Sequence, residues 1–276
     1  MNQCVTKTVV AGFSPAATSF IVTVYGDVVV PRGGVLWMGS LIALCASVGI
    51  NESLARTAVS RLVAAGRLIG TRNGRRSHYR LADLSREEFS KAAARLYGPP
   101  QQAQDWTILH APELSADAAR RAGYGAMDSV TWLLPGWMSV QDGLGFRAVA
   151  MAPPTDLAAR LWDLDGLAAE YTAMLDRFSP IVRDAMQARD GLEALTQRLA
   201  LVHAFRRILL RDPELPASAL PADWPGGQAR ALFRQAYLLL SPAADSFIGA
   251  ELQGSLGVLP TETDETRSRL QRLRDS

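Results

Sequence analysis

The chain has 276 residues, 48% hydrophobic and 20% charged, which is enough apolar material for two or three compact domains and argues against disorder over the whole length. Its two cysteines, Cys4 and Cys45, allow neither a disulfide framework nor a zinc spacing, and no apolar stretch approaches the about 18 residues of a membrane-spanning helix. We therefore expect a cytoplasmic protein that needs no metal or cofactor.

The formal net charge of +2 is unevenly distributed along the chain. Residues 1–100 contain 12 basic and five acidic residues, a net charge of +7, whereas the remainder has a net charge of −5. This asymmetry indicates a polyanion-binding N-terminal part and a C-terminal part with a different task.

The first predicted elements are helical. After a flexible leader at residues 1–17, the apolar run Thr18–Val30 predicts a helix that is followed by an extended exit. Val35–Val48 is apolar nearly all round and predicts a buried helix that Gly49 ends.

A second, amphipathic helix follows the tight turn at Val48-Gly49-Ile50. Asn51 can cap its start and Gly66 its end. Its apolar stripe comprises Ala55, Ala58, Val59, Leu62 and Val63. A buried helix, a tight turn and an amphipathic helix in this order predict a helix-turn-helix.

A β-hairpin is predicted directly after the second helix. Leu68–Arg72 and Arg75–Leu81 are short runs separated by Asn73-Gly74, the strongest local hairpin signal. A polar helix over 84–97 and the break at Gly98-Pro99-Pro100 then end this part of the chain.

The remainder predicts a small α/β segment and then a mainly helical one. Strands are predicted at Trp106–Ala111, Ser129–Leu134 and Phe146–Met151, with a helix at 115–122, before a boundary at Pro153-Pro154. Further helices are predicted at 156–177, 180–190, 191–211, 226–240 and 242–252. The charged tail after Pro260 is expected to be frayed or disordered.

Polar side chains on the second helix and the hairpin are the candidate contacts to duplex DNA. On the helix they are Asn51, Glu52, Ser53, Arg56, Thr57, Ser60 and Arg61. On the hairpin, which would act as a wing, they are Arg72, Asn73, Gly74, Arg75, Arg76, Ser77, His78 and Tyr79. Seven arginines and no acidic residue lie between Glu52 and Asp83, which favours salt-dependent binding to phosphates.

Several segments carry a family resemblance that covers about residues 18–245. The N-terminal ones are Val24-Tyr25-Gly26-Asp27, Pro31-Arg32-Gly33-Gly34, Gly49-Ile50-Asn51-Glu52, Arg56-Thr57-Ala58-Val59 and Gly74-Arg75-Arg76-Ser77. The C-terminal ones are Trp162-Asp163-Leu164, Leu201–Arg207, Arg211-Asp212-Pro213 and Asp223-Trp224-Pro225-Gly226. Residues 49–68 look like the recognition helix of GntR-type regulators, and the segments together resemble the PaaX family of repressors of phenylacetic acid degradation.

The resemblance implies a cytoplasmic homodimeric repressor that binds operator DNA and is released by phenylacetyl-CoA or a similar aryl-CoA thioester. The implied fold is α+β and mainly helical. Its parts would be a winged helix-turn-helix at 18–98, a middle ferredoxin-like (Cas2-like) domain at 101–152, a helical effector and dimerisation domain at 155–255 and a tail at 256–276. The family's middle domain is usually longer after Gly136-Trp137-Met138-Ser139, so here this domain is expected to be abbreviated.

Two groups of residues are candidates for binding the effector. His203, Arg206, Arg207 and Arg211 could bind the phosphates of a CoA thioester, or could form an ordinary salt-bridge face. Trp132, Trp137, Trp162 and Trp224 could line a pocket for a phenyl ring, or could pack in the core.

Two other function classes stay open at this point: a CoA-ester-binding enzyme of aromatic-acid metabolism, and a Cas2-like nucleic-acid-binding or nuclease module. The sequence contains no nucleophile elbow, phosphate-binding loop or dinucleotide-binding motif. His78, His110 and His203 lie far apart, without a second ligand at metal spacing. We therefore predict that the chain is not an enzyme and has neither catalytic residues nor a metal site.

Overall fold

The computed structural model describes residues 9–100, 103, 105–136, 143–187 and 189–275, and it is α+β and mainly helical with two small antiparallel sheets. The helices are α1 (Ala17–Val24), α2 (Met38–Ala46), α3 (Glu52–Ala64), α4 (Asp83–Tyr97), α5 (Ala116–Arg121), α6 (Thr155–Leu161), α7 (Leu164–Arg183), α8 (Gly191–Leu209), α9 (Gly226–Glu251) and α10 (Asp264–Asp275). The strands are β1 (Val35–Trp37), β2 (Leu68–Asn73), β3 (Arg76–Leu81), β4 (Trp106–His110), β5 (Gly125–Ala126), β6 (Thr131–Pro135) and β7 (Leu144–Ala148).

The chain divides into two compact units. The first contains Met1–Pro99, Met174–Arg206 and Ala229–Ser276, and the second contains Pro100–Ala173 and Arg207–Gln228. None of the helices in the described ranges is long and apolar enough to cross a membrane.

In the first unit, the segment after α1 remains helical. It continues as a π-helical turn at Tyr25–Val29 and a 3-10 turn at Val30–Arg32. The expected extended exit is therefore wrong, because the helical backbone buries Tyr25 and Val28 completely, and such burial overrides the local preference of β-branched residues for strands.

The next helix is shorter than the sequence suggests. Val35–Trp37 forms β1 and pairs with β3, so the predicted helix over Val35–Val48 begins only at Met38. Val35 and Trp37 are partly exposed and Leu36 is buried, which is the alternation of an edge strand.

The predicted second helix and hairpin are confirmed. Asn51 Oδ1 accepts a hydrogen bond of 2.9 Å from the backbone N–H of Leu54 and so caps α3. Strands β1, β3 and β2 form an antiparallel sheet in that order. Asn73 pairs with Arg76, so the two-residue turn is Gly74-Arg75, one position later than predicted, and Gly74 takes the positive φ of 59° that this turn requires.

The C-terminal helices of the chain differ from the prediction in three ways. The helix predicted over 156–177 is interrupted at Trp162-Asp163, so α6 and α7 are separate helices. Pro180 and Pro242 lie inside α7 and α9 instead of ending them; buried neighbours such as Phe178 and Ile181 offset the missing hydrogen bond. The tail is not frayed, because residues 264–275 form α10 and bury Arg269 and Leu273 in the first unit.

The second unit contains the antiparallel sheet β5-β6-β4-β7. On one face, Leu109, Trp132 and Leu134 pack with Ala119 of α5. A separate cluster on the other face comprises Trp106, Leu133, Ala158, Leu164, Leu215 and Ala219. The sheet is thus covered by α5 on one side and by α6 and the 215–219 segment on the other.

Candidate nucleic-acid interface

Helix α3 packs on the core through one narrow stripe of apolar side chains. Ala55, Ala58, Val59 and Leu62 are at most 3% exposed, as their helical spacing predicts. Val63, which the sequence places in the same stripe, is 39% exposed; it lies about 100° along the helix from Leu62 and so falls outside the stripe. Most of the circumference of α3 therefore faces solvent.

The polar side chains predicted on α3 lie on this solvent-facing side. Glu52, Ser53, Arg56, Thr57, Ser60 and Arg61 are all exposed. Glu52 and Arg56 form an ion pair of 2.7 Å in which each side chain is 58% exposed. The pair contributes little stability at such exposure, but it orients the Arg56 guanidinium along the helix surface.

The hairpin extends the same basic surface. Arg72, Asn73, Gly74, Arg75 and Arg76 are exposed, while Ser77 and Tyr79 are partly buried. In the part of the chain that the structure describes, no carboxylate pairs with Arg72, Arg75 or Arg76. The guanidinium carbon of Arg76 instead lies 5.0 Å from the centre of the Trp37 ring, which holds it over β1.

His78 does not belong to this surface. It is only 6% exposed, and in the central strand β3 it lies between Trp37 of β1 and Thr71 of β2. Its inclusion among the DNA contacts is wrong, because its side chain is covered where it lies between the two neighbouring strands.

A groove of about 390 Å³ runs between α3 and the hairpin. It is lined by Arg56, Val59, Ser60, Val63, Gly70, Thr71, Arg72, Ser77 and Tyr79. A Cβ atom at Gly70 would lie 2.9 Å from Tyr79 Cε1, so only glycine leaves the Tyr79 ring where it is. None of these lining residues is acidic, and the groove offers hydroxyl and guanidinium donors that suit a phosphate backbone.

Sequence reasoning missed Thr71 as part of this groove. Thr71 pairs with His78 in the hairpin register, one position from the Gly70–Tyr79 pair that also lines the groove. Its place next to Arg72 in the predicted hairpin is the signal that could have found it.

The predicted effector residues differ in burial and in the unit to which they belong. His203 is 2% exposed; its Nδ1 is 3.0 Å from the Thr23 hydroxyl, and its ring meets that of Phe13 edge-on at 5.6 Å. His203 and Arg206 belong to the first unit, whereas Arg207 and Arg211 belong to the second. His203 is thus a core side chain, since it lies on the face of α8 that packs on α1.

The predicted aromatic pocket is divided between the two faces of the sheet in the second unit. Trp132 is buried against α5, whereas Trp162 and Trp224 pack with the cluster on the opposite face of the sheet. Trp137 lies outside the described residues. Trp132 and Trp224 therefore cannot line a common pocket, and Trp132 serves core packing.

Metal binding and cysteine reactivity depend on the grouping and the burial of the described side chains. Within the described ranges no three His, Cys, Asp or Glu residues are grouped as metal ligands would be. Burial raises the pKa of the Cys45 thiol to about 12, which keeps it protonated and makes it a poor nucleophile at neutral pH.

A capped, solvent-facing helix followed by an arginine-rich hairpin is typical of regulatory proteins that bind nucleic acid. The profile of the PaaX-like protein family matches residues 16–85, and that of the PaaX-like protein C-terminal domain matches residues 162–250. The chain is also 32% identical over 274 residues to the transcriptional repressor PaaX of Escherichia coli (strain K12), an alignment covering 89% of this chain and 87% of that protein. The chain therefore belongs to the PaaX family.

Family membership confirms the resemblance found in the sequence and makes the chain a transcriptional regulator rather than an enzyme. Among solved structures, the chain is similar to the uncharacterised protein Rv0674 of Mycobacterium tuberculosis, with 28% identity and a TM-score of 0.47. That match covers 84% of this chain and 99% of the other.

Proposed function

We propose that this protein is a DNA-binding transcriptional repressor in which α3 enters the major groove and the β2–β3 hairpin acts as a wing. The observation that carries the proposal is the continuous exposed surface of α3 and the hairpin, where the arginines at the tip have no carboxylate partner among the described residues. Each phosphate that such a surface neutralises releases counterions, which drives binding. The groove between the two elements would receive one sugar-phosphate strand.

The same proposal includes the domain architecture that the sequence predicts. A winged helix-turn-helix at 18–98 is supported by the order α2, α3, β2, β3. A ferredoxin-like middle domain at 101–152 is supported by the strand order β5-β6-β4-β7 with antiparallel pairing throughout. Only residues 136–143 separate β6 from β7, a connection shorter than a usual crossover, which agrees with an abbreviated domain.

We expect the repressor to act as a homodimer in the cytoplasm. One short helix reads few base pairs, and two copies placed on two half-sites multiply specificity. The targets would be genes of aromatic, phenylacetate-type catabolism, as membership of this family suggests.

An aryl-CoA thioester such as phenylacetyl-CoA is the proposed effector. Arg207 in the last turn of α8 and Arg211 just after the helix are both exposed. They could bind CoA phosphates, although Arg211 already pairs with Glu170. The effector would release the operator only if it binds the DNA-free geometry more tightly than the DNA-bound one.

A footprint of the purified protein on the DNA upstream of its own gene would test the DNA-binding proposal. We expect two protected half-sites about 10 base pairs apart, or a multiple of this spacing. Protection no stronger than on unrelated duplex would contradict the repressor assignment. In the same assay phenylacetyl-CoA should abolish protection, and unchanged protection at saturating ligand would exclude this effector alone.

A further inference from the structure

Leu54 is an apolar side chain in the part of α3 that would meet the bases. Its backbone N–H donates to the cap Asn51, so it lies in the first turn of the helix, and the first turn of a recognition helix faces base edges. It is 54% exposed, whereas the next residue, Ala55, is completely buried.

The fold does not require an apolar residue at this position. The core stripe of α3 is complete without Leu54, and glutamine, lysine or arginine would support the helix about as well. Isolated exposed leucines are common on protein surfaces. This one is distinguished by its place beside Ser53 and Thr57, in the first turns of the helix proposed to enter the groove.

The chemistry of the major groove provides a partner for such a side chain. Base edges there present hydrogen-bond donors and acceptors, and thymine alone adds an apolar group, its C5-methyl. We infer that Leu54 contacts a thymine methyl group and makes the protein select thymine at one position of each half-site. This inference rests on the proposed function.

The position of that thymine relative to the wing follows from the helix geometry. Arg56 lines the groove beside the hairpin, and two residues along a helix correspond to about 200° of rotation. Leu54 therefore projects to the flank of α3 away from the wing, and the selected thymine lies on that side of the half-site.

Deoxyuridine substitution tests the inference, because it removes only the methyl group. Duplexes selected by the protein from a random pool would define the operator, and each thymine would then be replaced singly. For the wild-type protein we expect one position per half-site at which deoxyuridine weakens binding about three- to fivefold, the value of one buried methyl group. Leu54→Ala should bind the thymine duplex more weakly than the wild type by a similar factor. The affinity of Leu54→Ala for the deoxyuridine duplex should equal its affinity for the thymine duplex.

Two further variants separate the contact from general effects. Leu54→Met keeps an apolar side chain and should retain the preference for thymine. Leu256→Ala changes a fully exposed leucine outside α3 and should leave both affinities unchanged.

The outcomes distinguish the inference from the proposed function. If Leu54→Ala still discriminates thymine from deoxyuridine, or if no thymine position is sensitive in the wild-type protein, the inference is overturned while the repressor proposal stands. If the protein selects no duplex at all, the proposed function fails and the inference fails with it.

Discussion

The Asp27 carboxylate lies 3.0 Å from the Nε atom of Arg198, although 171 positions separate the two residues along the chain. Both side chains are at most 1% exposed. The same carboxylate accepts hydrogen bonds from Tyr97 and Tyr237 at 2.9 and 2.8 Å, and from Arg269 at 3.2 Å. One buried acid thus connects the helical segment after α1 to α4, α8, α9 and α10.

Replacing Asp27 with asparagine should strongly destabilise the protein. The substitution keeps the shape of the side chain but leaves Arg198 and Arg269 buried without their shared carboxylate, and breaking a buried ion pair typically costs about 3–5 kcal/mol. Urea unfolding followed by circular dichroism would measure the loss. Glu87→Gln, which removes an exposed pair with Lys91, is the control and should leave the midpoint unchanged. If the Asp27→Asn protein is as stable as the wild type, the ion pairs and hydrogen bonds of Asp27 do not stabilise the fold.

The stability conferred by Asp27 should be lost in acid. Burial alone would raise the pKa of Asp27, but Arg198, Arg269 and the two tyrosine hydroxyls outweigh it and keep that pKa below its usual value. The contribution is therefore complete above the unfolded pKa of about 3.9 and disappears as the pH falls through the lower folded pKa. The unfolding free energies of wild type and Asp27→Asn should converge in this window, and a constant difference down to the lowest pH at which both fold would contradict the assignment.

Removing the arginines at the tip of the hairpin should weaken binding to all duplex sequences. In the Arg75→Ala/Arg76→Ala double variant, each lost phosphate contact should make the negative slope of log affinity against log salt concentration shallower by about 0.9. Titrations of specific and unrelated duplexes at several salt concentrations would measure both effects. Arg120→Ala, which removes an exposed arginine of α5, should leave affinity and slope as in the wild type. If the double variant also binds like wild type, the hairpin does not contact DNA.

Removing the cap of α3 should reduce both stability and operator affinity. Asn51→Ala leaves the Leu54 N–H without its side-chain acceptor, at a typical cost of about 1 kcal/mol, and loosens the turn that presents Leu54 and Arg56. Ser115 caps α5 in a comparable way, so Ser115→Ala should reduce stability without changing operator affinity. Equal operator binding by Asn51→Ala and wild type would argue against α3 as the reading element.

The Cys45 thiol should be unreactive in the folded protein. Burial raises its pKa to about 12, so the thiolate is scarce at neutral pH and access is blocked. In a Cys4→Ser variant, iodoacetamide at pH 8 should modify Cys45 only after denaturant is added. Rapid modification of the native variant would show that α2 opens readily.

Several local features of the fold could be predicted because the signals that encode them are local. The Asn51 cap, the apolar stripe of α3 and the hairpin near Asn73-Gly74 depend on residues only a few positions apart. The excess of arginine in the same segment is visible in composition alone. The solvent-facing surface of α3 and most of the hairpin tip can therefore be identified from the amino-acid sequence alone.

Other predictions failed where long-range contacts outweigh local preference. Pro242 looks like a helix break, yet α9 continues through it with Leu240 and Ala244 buried on either side. The charged tail has the composition of a frayed end. Arg269 is nevertheless only 3% exposed, because it forms an ion pair with the buried Asp27 carboxylate.

The positions of the cap, the hairpin and the basic surface can be read from the amino-acid sequence, because hydrophobic period, turn residues and charge are local properties of the chain. Tertiary contacts, in turn, bury His78 and His203, place Thr71 in the lining of the groove beside α3, and bring arginines from α8 and α10 to Asp27. Burial and ion pairing depend on which segments of the chain meet in space. Partners of Asp27 that lie 171 and 242 positions away leave no local trace in the sequence.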